Sequence, residues 1–369
     1  MRVGPLQIPV AEPSIGETEE QYVLEAIRSG WVSSRGPFVS RFEEQIGAVT
    51  GGRHALATCN GTAAVHLALA AIGIGPGDEV IVPSLSFVAT ANVVRYVGAT
   101  PVFADCDPLS WCLDPQDVGK RVTGRTKAII PVHLYGHPAP MDELALVAGS
   151  GIAIVEDAAQ ALGALYRGRK VGRLGAVGAL SFSGNKILTT GEGGMLISDD
   201  EHLADRARFL CHHGMSRDRR YWHPEVGFNY RMTNLQAALG FAQCLRLGEF
   251  LQRKREIANR YRDAIGRIPG LTLQHEAPGV VSSWWMSTVK IGPEFPLTRD
   301  ALMEALGVRG IETRPGFYPI HVMPPYASGL RLAVTEEIAA TTLSLPSAVK
   351  LSHDDQVFVI SALQDIAAV

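Results

Sequence analysis

Short apolar runs separated by longer amphipathic stretches set the rhythm of the chain. The runs His54–Thr58, Glu79–Pro83, Thr100–Ala104, Ala128–Val132, Ile152–Glu156, Ala179–Ser183 and Met195–Ser198 are nearly continuous in hydrophobicity, as strands buried on both faces are. Between them Thr62–Ile72, Ala89–Val97, Met141–Gly149 and His202–Cys211 show helical spacing. Strands alternating with helices predict an α/β fold with a mainly parallel sheet covered by helices on both faces.

Ahead of this core the pattern predicts an N-terminal arm and a helix over Glu17–Ile27, ended by Ser29-Gly30-Trp31-Val32-Ser33-Ser34-Arg35-Gly36-Pro37. Behind it, Leu245–Ile265 predicts a long charged helix with Leu251, Ile257, Ala258 and Tyr261 on its apolar side. Then Trp284–Ile291, a helix at Arg299–Gly307 and a closing helix at Asp354–Ala367 predict a smaller α+β unit. The expected division is a large domain over 1–248, arm included, and a small C-terminal domain over 249–369, which suits a chain of 369 residues.

Composition narrows the classes. A net charge of −3 without a basic run gives no footprint for nucleic acid or an anionic membrane surface. No stretch reaches the roughly 20 apolar residues of a membrane span, and the start of the chain lacks the basic and apolar regions of a signal peptide. Cys59, Cys106, Cys112, Cys211 and Cys244 form no CxxC pair, which points to reduced thiols and a cytoplasmic location. Cys211-His212-His213 lacks further ligands at a metal-binding spacing, so no metal is expected.

Four features carry chemistry. Ser181-Phe182-Ser183-Gly184-Asn185-Lys186 brings a lysine off a strand into a turn, followed by Thr189-Thr190-Gly191-Glu192-Gly193-Gly194. A Schiff-base lysine needs such a place, because its amine must be desolvated and partly deprotonated to attack an aldehyde. Upstream, the strand Ile152–Glu156 runs into Asp157-Ala158-Ala159-Gln160, putting a carboxylate where open α/β sheets bind ligands. Asp157 could pair with a protonated ring nitrogen and keep the ring an electron sink, with Gln160 near a ring hydroxyl. Earlier, His54–Thr58 leads through Cys59-Asn60-Gly61-Thr62 into an Ala-rich helix, whose N-terminus offers amides and a hydroxyl to a phosphate. Phe87, beyond the next strand, could stack on the ring. Each feature alone has a plain alternative: a hairpin lysine on the surface, an Asp or Gly-Thr helix cap, a core Phe. Together they assemble an amine, a carboxylate, a phosphate cradle and a ring cover at the ends of one sheet. No GxGxxG opens a helix, so the dinucleotide site common on such sheets is not expected.

The segments GTAAVHLAL (61–69), VPSLSFVATAN (82–92), VEDAAQALGA (155–164), SFSGNKILTTGEGG (181–194) and VGFNYRMTNLQAA (226–238) resemble the DegT/DnrJ/StrS family of pyridoxal-phosphate-dependent sugar aminotransferases of fold type I, over essentially the whole chain. The resemblance implies pyridoxal 5'-phosphate as cofactor, Lys186 as the lysine that carries it and moves the substrate proton, and Asp157 at its ring nitrogen. It also implies Gln160 at the ring hydroxyl, Gly61, Thr62, Ser181 and Ser183 around the phosphate, and Phe87 over the ring. By the same resemblance Asn229 would reach the phosphate of a neighbouring subunit, so a homodimer with shared active sites is expected. Tyr230, Arg231 and His321 would contact the nucleotide-sugar. One branch of the family has His in place of the lysine and dehydrates its substrate, and Lys186 favours amino transfer. SGNKILTTGEGGM, Arg219-Arg220-Tyr221-Trp222 and Pro319-Ile320-His321-Val322-Met323-Pro324-Pro325-Tyr326 are most similar to the branch that aminates C4 of GDP-4-keto-6-deoxymannose, using glutamate. Gln160 departs from that branch, which tends to have Glu there, and this leaves a UDP- or dTDP-linked keto sugar, a keto-octulosonate or a cyclic polyol ketone open. A non-catalytic regulator that binds the cofactor is the remaining alternative, against which the intact set Lys186, Asp157 and Gln160 speaks.

Overall fold

Successive residues of each central strand part company, one to each face of the sheet. Leu56, Val80, Val82, Ala128, Val155, Ala179 and Leu196 pack into one buried cluster, while Ala57, Ile81, Ile129, Ile154, Leu180 and Ile197 pack into another. This is the period-two alternation of a strand with both faces apolar, and it requires a helical layer on each side.

The computed structural model describes residues 8–368, so residues 1–7 of the expected arm lie outside the described residues. Seven strands form the main sheet: β1 (His54–Thr58), β2 (Glu79–Pro83), β3 (Thr100–Ala104), β4 (Thr126–Ile129), β5 (Ala153–Asp157), β6 (Val177–Ser181) and β7 (Gly194–Ser198). Their spatial order is β1-β7-β6-β5-β4-β2-β3. All are parallel except β7, which runs antiparallel between β1 and β6. The strand expected at Ala179–Ser183 therefore ends at Ser181, and the one expected at Ala128–Val132 is Thr126–Ile129, with Val132 adding a single bridge to Asp157.

Helix limits follow local chemistry. Asn60 caps Gly61–Ile72 by accepting from the Ala63 N–H, and Gly73 closes it with φ of 91°. Asp200 caps Glu201–Cys211 through the N–H groups of His202 and Leu203. Pro37, read in the sequence as part of a break, is the first residue of a helix running to Thr50, a position where a missing N–H costs nothing. Asn234–Leu245 is another helix beyond those expected, opened by a capping box between Thr233 and Gln236.

The long charged helix expected at Leu245–Ile265 is the 19-residue helix Leu247–Ile265. Beyond it a second sheet orders Leu271–Leu273, Ser287–Ile291, Thr342–Leu345 and Arg314–Pro315 side by side, all antiparallel. A third buried cluster gathers Ile257, Tyr261, Val289, Leu302, Leu343, Val359 and Leu363 around it. Ile8 bridges Ile311, and Val10 donates its N–H to Glu312, so the start of the described chain runs beside this second sheet.

Candidate active site

The C-terminal ends of β1, β5 and β6 open onto one cavity of about 400 Å³. That is where ligands bind in open α/β sheets, because the helices that follow the strands begin there with free amides. Of the residues expected from the sequence, Gly61, Thr62, Phe87, Asp157, Gln160, Ser181, Ser183 and Lys186 line this cavity. Four separate segments of the chain thus bring their chemistry to a single space.

At one end stands the N-terminus of Gly61–Ile72. The Asn60 side chain is occupied with the Ala63 N–H at 2.8 Å, which leaves the Gly61 and Thr62 amides facing the cavity end of the helix dipole. A Cβ on Gly61 would lie 2.7 Å from the Ser181 Cβ, so only glycine allows β6 and this helix to approach so closely. Ser183 donates to Glu192 Oε1 at 3.2 Å, and that carboxylate also lines the cavity.

Asp157 ends β5 with 7% of its surface exposed. Thr90 Oγ1 donates to its Oδ2 at 2.8 Å and the Ala159 N–H to its Oδ1 at 3.2 Å, which fixes the carboxylate. The Tyr135 N–H donates to Gln160 Oε1 at 2.8 Å, so the Gln160 NH₂ is the end left to donate to a ligand oxygen. Glu156, fully buried beside Asp157, accepts from His133 Nε2 at 3.0 Å and from the N–H groups of Gly172 and Gly175, both at 2.7 Å. It thereby clamps the turn that carries Tyr135.

Lys186 follows β6 in the turn the sequence predicted. Burial pulls its amine down from the ordinary lysine value to about 8, and the Asp157 charge opposes part of that shift. The Lys186 Nζ lies 3.8 Å from the centroid of the Trp285 ring, and the Trp285 indole N–H donates to the Asn185 carbonyl at 2.7 Å.

The facing wall was not anticipated from the sequence. Tyr135, Trp285, Met286, Arg314, Pro315, Phe317 and Ser344 complete the lining, all but Tyr135 from beyond residue 280. Tyr135 stacks on Phe317 at 5.5 Å and 2°, and on Trp285 at 6.3 Å and 18°. Its φ of 56° is left-handed and unusual for a bulky side chain, and its hydroxyl accepts the Phe317 N–H at 3.2 Å. Phe87, 58% exposed, lies 6.3 Å from the Phe317 ring at the rim. The Trp284-Trp285 pair was the one available hint of an aromatic wall.

Four expected residues lie elsewhere. The segment with Asn229, Tyr230 and Arg231 runs outside the cradle: Arg231 bridges Thr58, the Tyr230 carbonyl accepts the Cys59 N–H at 2.7 Å, and exposed Asn229 bridges His212. The Tyr230 hydroxyl meets His66 Nδ1 at 2.9 Å. Arg231 lines a neighbouring hollow with Glu43, Arg208 and His212. His321 is buried away from the cavity, with Nδ1 2.6 Å from Ser84 Oγ and Nε2 3.2 Å from Glu336.

Residues 13–364 match the DegT/DnrJ/EryC1/StrS aminotransferase family. The chain belongs to this family. The GDP-perosamine synthase of Caulobacter vibrioides is 46% identical to it, over 98% of each protein. Among solved structures, the aminotransferase TlmJ of Streptoalloteichus hindustanus superposes with a TM-score of 0.93 at 35% identity, covering 98% of this chain and 99% of that one. Spr1654 of Streptococcus pneumoniae, captured in its PLP form, gives 0.91 at 28% identity, covering 98% of both chains.

The cavity of this family member fits pyridoxal phosphate on its own geometry. The Gly61 cradle is of a kind a Cβ would fill, with hydroxyls of Thr62, Ser181 and Ser183 around it. A fixed carboxylate, a desolvated amine and flat aromatic faces supply what a phosphate, a ring nitrogen, a carbonyl and a ring require. Among the described residues no helix is long and apolar enough to cross a membrane.

Proposed function

We propose that this chain transfers an amino group from glutamate to the C4 ketone of GDP-4-keto-6-deoxymannose, giving GDP-perosamine. The observation that carries the reading is Lys186, an amine brought to about 8 by burial, in the same cavity as the Asp157 carboxylate and the Gly61–Thr62 helix end. The 46% identity to a GDP-perosamine synthase over nearly the full length of both proteins supports the substrate.

Pyridoxal phosphate is the cofactor, and when bound it supplies a carbonyl to carry the amino group and a ring that draws electrons from the carbon losing its proton. The Gly61 and Thr62 amides, with Thr62, Ser181 and Ser183 hydroxyls, hold its phosphate. Asp157 would hold a proton at the ring nitrogen, Gln160 would donate to the ring oxygen, and Phe87 would cover the ring. Lys186 Nζ would hold the cofactor's carbonyl end and, when free, would take the donor's α-proton and hand a proton to the sugar C4. Trp285 and Phe317 keep water from that amine, which holds its proton affinity in the useful range.

The active form is a homodimer in which exposed Asn229 of each copy reaches the partner's phosphate cradle, with Tyr230 and Arg231 beside it near the nucleotide-sugar. Five free cysteines support a reducing, cytoplasmic location.

The test is spectroscopic. The protein loaded with pyridoxal phosphate is mixed in turn with glutamate, GDP-perosamine, and UDP- and dTDP-linked 4-amino sugars. Loss of the yellow band with glutamate and with GDP-perosamine alone among the sugars is the expected result. Conversion by a UDP or dTDP sugar only would replace the substrate and keep the chemistry; silence with every amine would overturn both.

A further inference from the structure

Lys254, on the helix Leu247–Ile265, lies outside the cavity and is almost fully buried. Among the described residues no carboxylate pairs with it, and burial alone brings its amine down to about 7. Its Nζ donates instead to two carbonyls, that of Trp285 at 2.8 Å and that of Ser347 at 2.5 Å. An apolar side chain of the same length would fill this space without desolvating an amine, so the two hydrogen bonds are what the lysine adds.

Those bonds fall at a sensitive place. Ser347 Oγ accepts the Ser287 N–H at 2.9 Å, so Lys254 ties together the segments that flank the two middle strands of the second sheet. The Trp285 indole then donates to the Asn185 carbonyl and lays its ring against the Lys186 Nζ. A continuous path runs from Lys254 to the Trp285 backbone, across the indole, to the turn that presents Lys186. We propose that Lys254 is a positioning residue for the Lys186 amine, acting through Trp285 to keep that amine dry and correctly placed. This inference rests on Lys186 being the reacting amine.

The charged groups that face Lys186 are Asp157, which favours its protonated form, and Glu192 and Arg314 on the cavity lining. None of them touches Lys254, so a change at residue 254 reaches Lys186 through Trp285. Loosening the indole admits water, relieves the desolvation that dominates the shift, and moves the Lys186 amine back toward ordinary lysine values.

The test uses the full-length chain freed of cofactor, with acetic anhydride as probe and the extent of Lys186 acetylation followed against pH by peptide mass spectrometry. The wild-type midpoint is expected near 8. Lys254→Met and Trp285→Phe should each raise it by roughly 0.5 to 1 pH unit, and the double variant by no more than the larger single effect, because both act through one ring. Lys254→Arg, which keeps a donor, should bring the midpoint part of the way back. With cofactor restored, Lys254→Met should lower kcat and leave the KM for the sugar unchanged. An unmoved midpoint in a Lys254→Met chain that keeps its wild-type circular dichroism, or additive shifts in the double variant, would overturn the proposal. Should the Met variant not fold, Lys254→Arg combined with Trp285→Phe carries the same comparison. Full amino transfer by a Lys186→Ala chain would instead remove Lys186 as the reacting amine, a different failure from the one at Lys254.

Discussion

The two walls of the cavity are built on different principles. The wall on the main sheet is made of strand ends: Gly61, Asp157, Gln160, Ser181 and Lys186 each sit within a few residues of a strand of that sheet. Its precision is a matter of backbone, fixed by the sheet register and by glycine where β6 meets the helix end. The facing wall is made of side chains: Tyr135, Trp285 and Phe317 hold one another by stacking, and by a hydrogen bond between Tyr135 and Phe317, 182 residues apart. The first wall should tolerate no added volume and no lost charge, whereas the second should adjust by degrees.

The largest effect tests the main-sheet wall at the amine proposed to react. Lys186→Ala should reduce amino transfer by about 10⁴-fold or more, with the unfolding midpoint little changed, since the side chain donates to no acceptor among the described residues. Substantial turnover by that variant would remove the lysine from the chemistry. The same amine predicts a pH dependence. Only the neutral form attacks a carbonyl, so cofactor uptake by the cofactor-free chain should speed up as pH rises and level off above about 8. The sign for stability agrees: between about 8 and 10.5 an unfolded chain holds a proton that native Lys186 has released, so this group adds stability as pH rises through that window.

Gly61→Val comes next. The new Cβ meets Ser181 and the branch intrudes on the cradle, so cofactor affinity should fall by ~100-fold, read by titrating the absorbance of the bound form. Affinity within a factor of two of wild type would mean the phosphate is held elsewhere.

His321 separates structural from ligand duty. Bonded to Ser84 and Glu336, it should cost about 1 to 3 kcal/mol of stability when replaced in His321→Phe, with the sugar KM unchanged. A raised KM in a stable variant would return His321 to the sugar. The smallest effect belongs to the aromatic wall: Phe317→Leu removes one stacked face and should change kcat by only about two- to five-fold, an energy of one aromatic pair. A loss as large as that of Gly61→Val would erase the contrast between the walls.

Much of the site was legible because strand ends are local. Asp157 and Gln160 follow an apolar run directly, and Lys186 sits in a glycine-rich turn between two such runs; the parallel sheet then gathers those ends at one edge whatever lies elsewhere. Trp285, Arg314 and Phe317 sit in short antiparallel strands and loops with no comparable pattern, and nothing local says that Trp285 points at Lys186. Asn229, Tyr230 and Arg231 were recognisable as a motif, yet they lie on the outer side of the cradle, against Thr58 and Cys59.

By itself the sequence determined the alternation of buried strands and capped helices, the family, and the identity of the groups at the strand ends, because periodicity and capping act over a few residues. Only the tertiary structure decided which partners each side chain takes: that Trp285 covers the amine, that Glu156 and His133 clamp the Tyr135 turn, and that His321 is spent on Ser84 and Glu336. Those contacts depend on packing between segments far apart in the chain, and packing is set by the whole buried surface rather than by any segment of it.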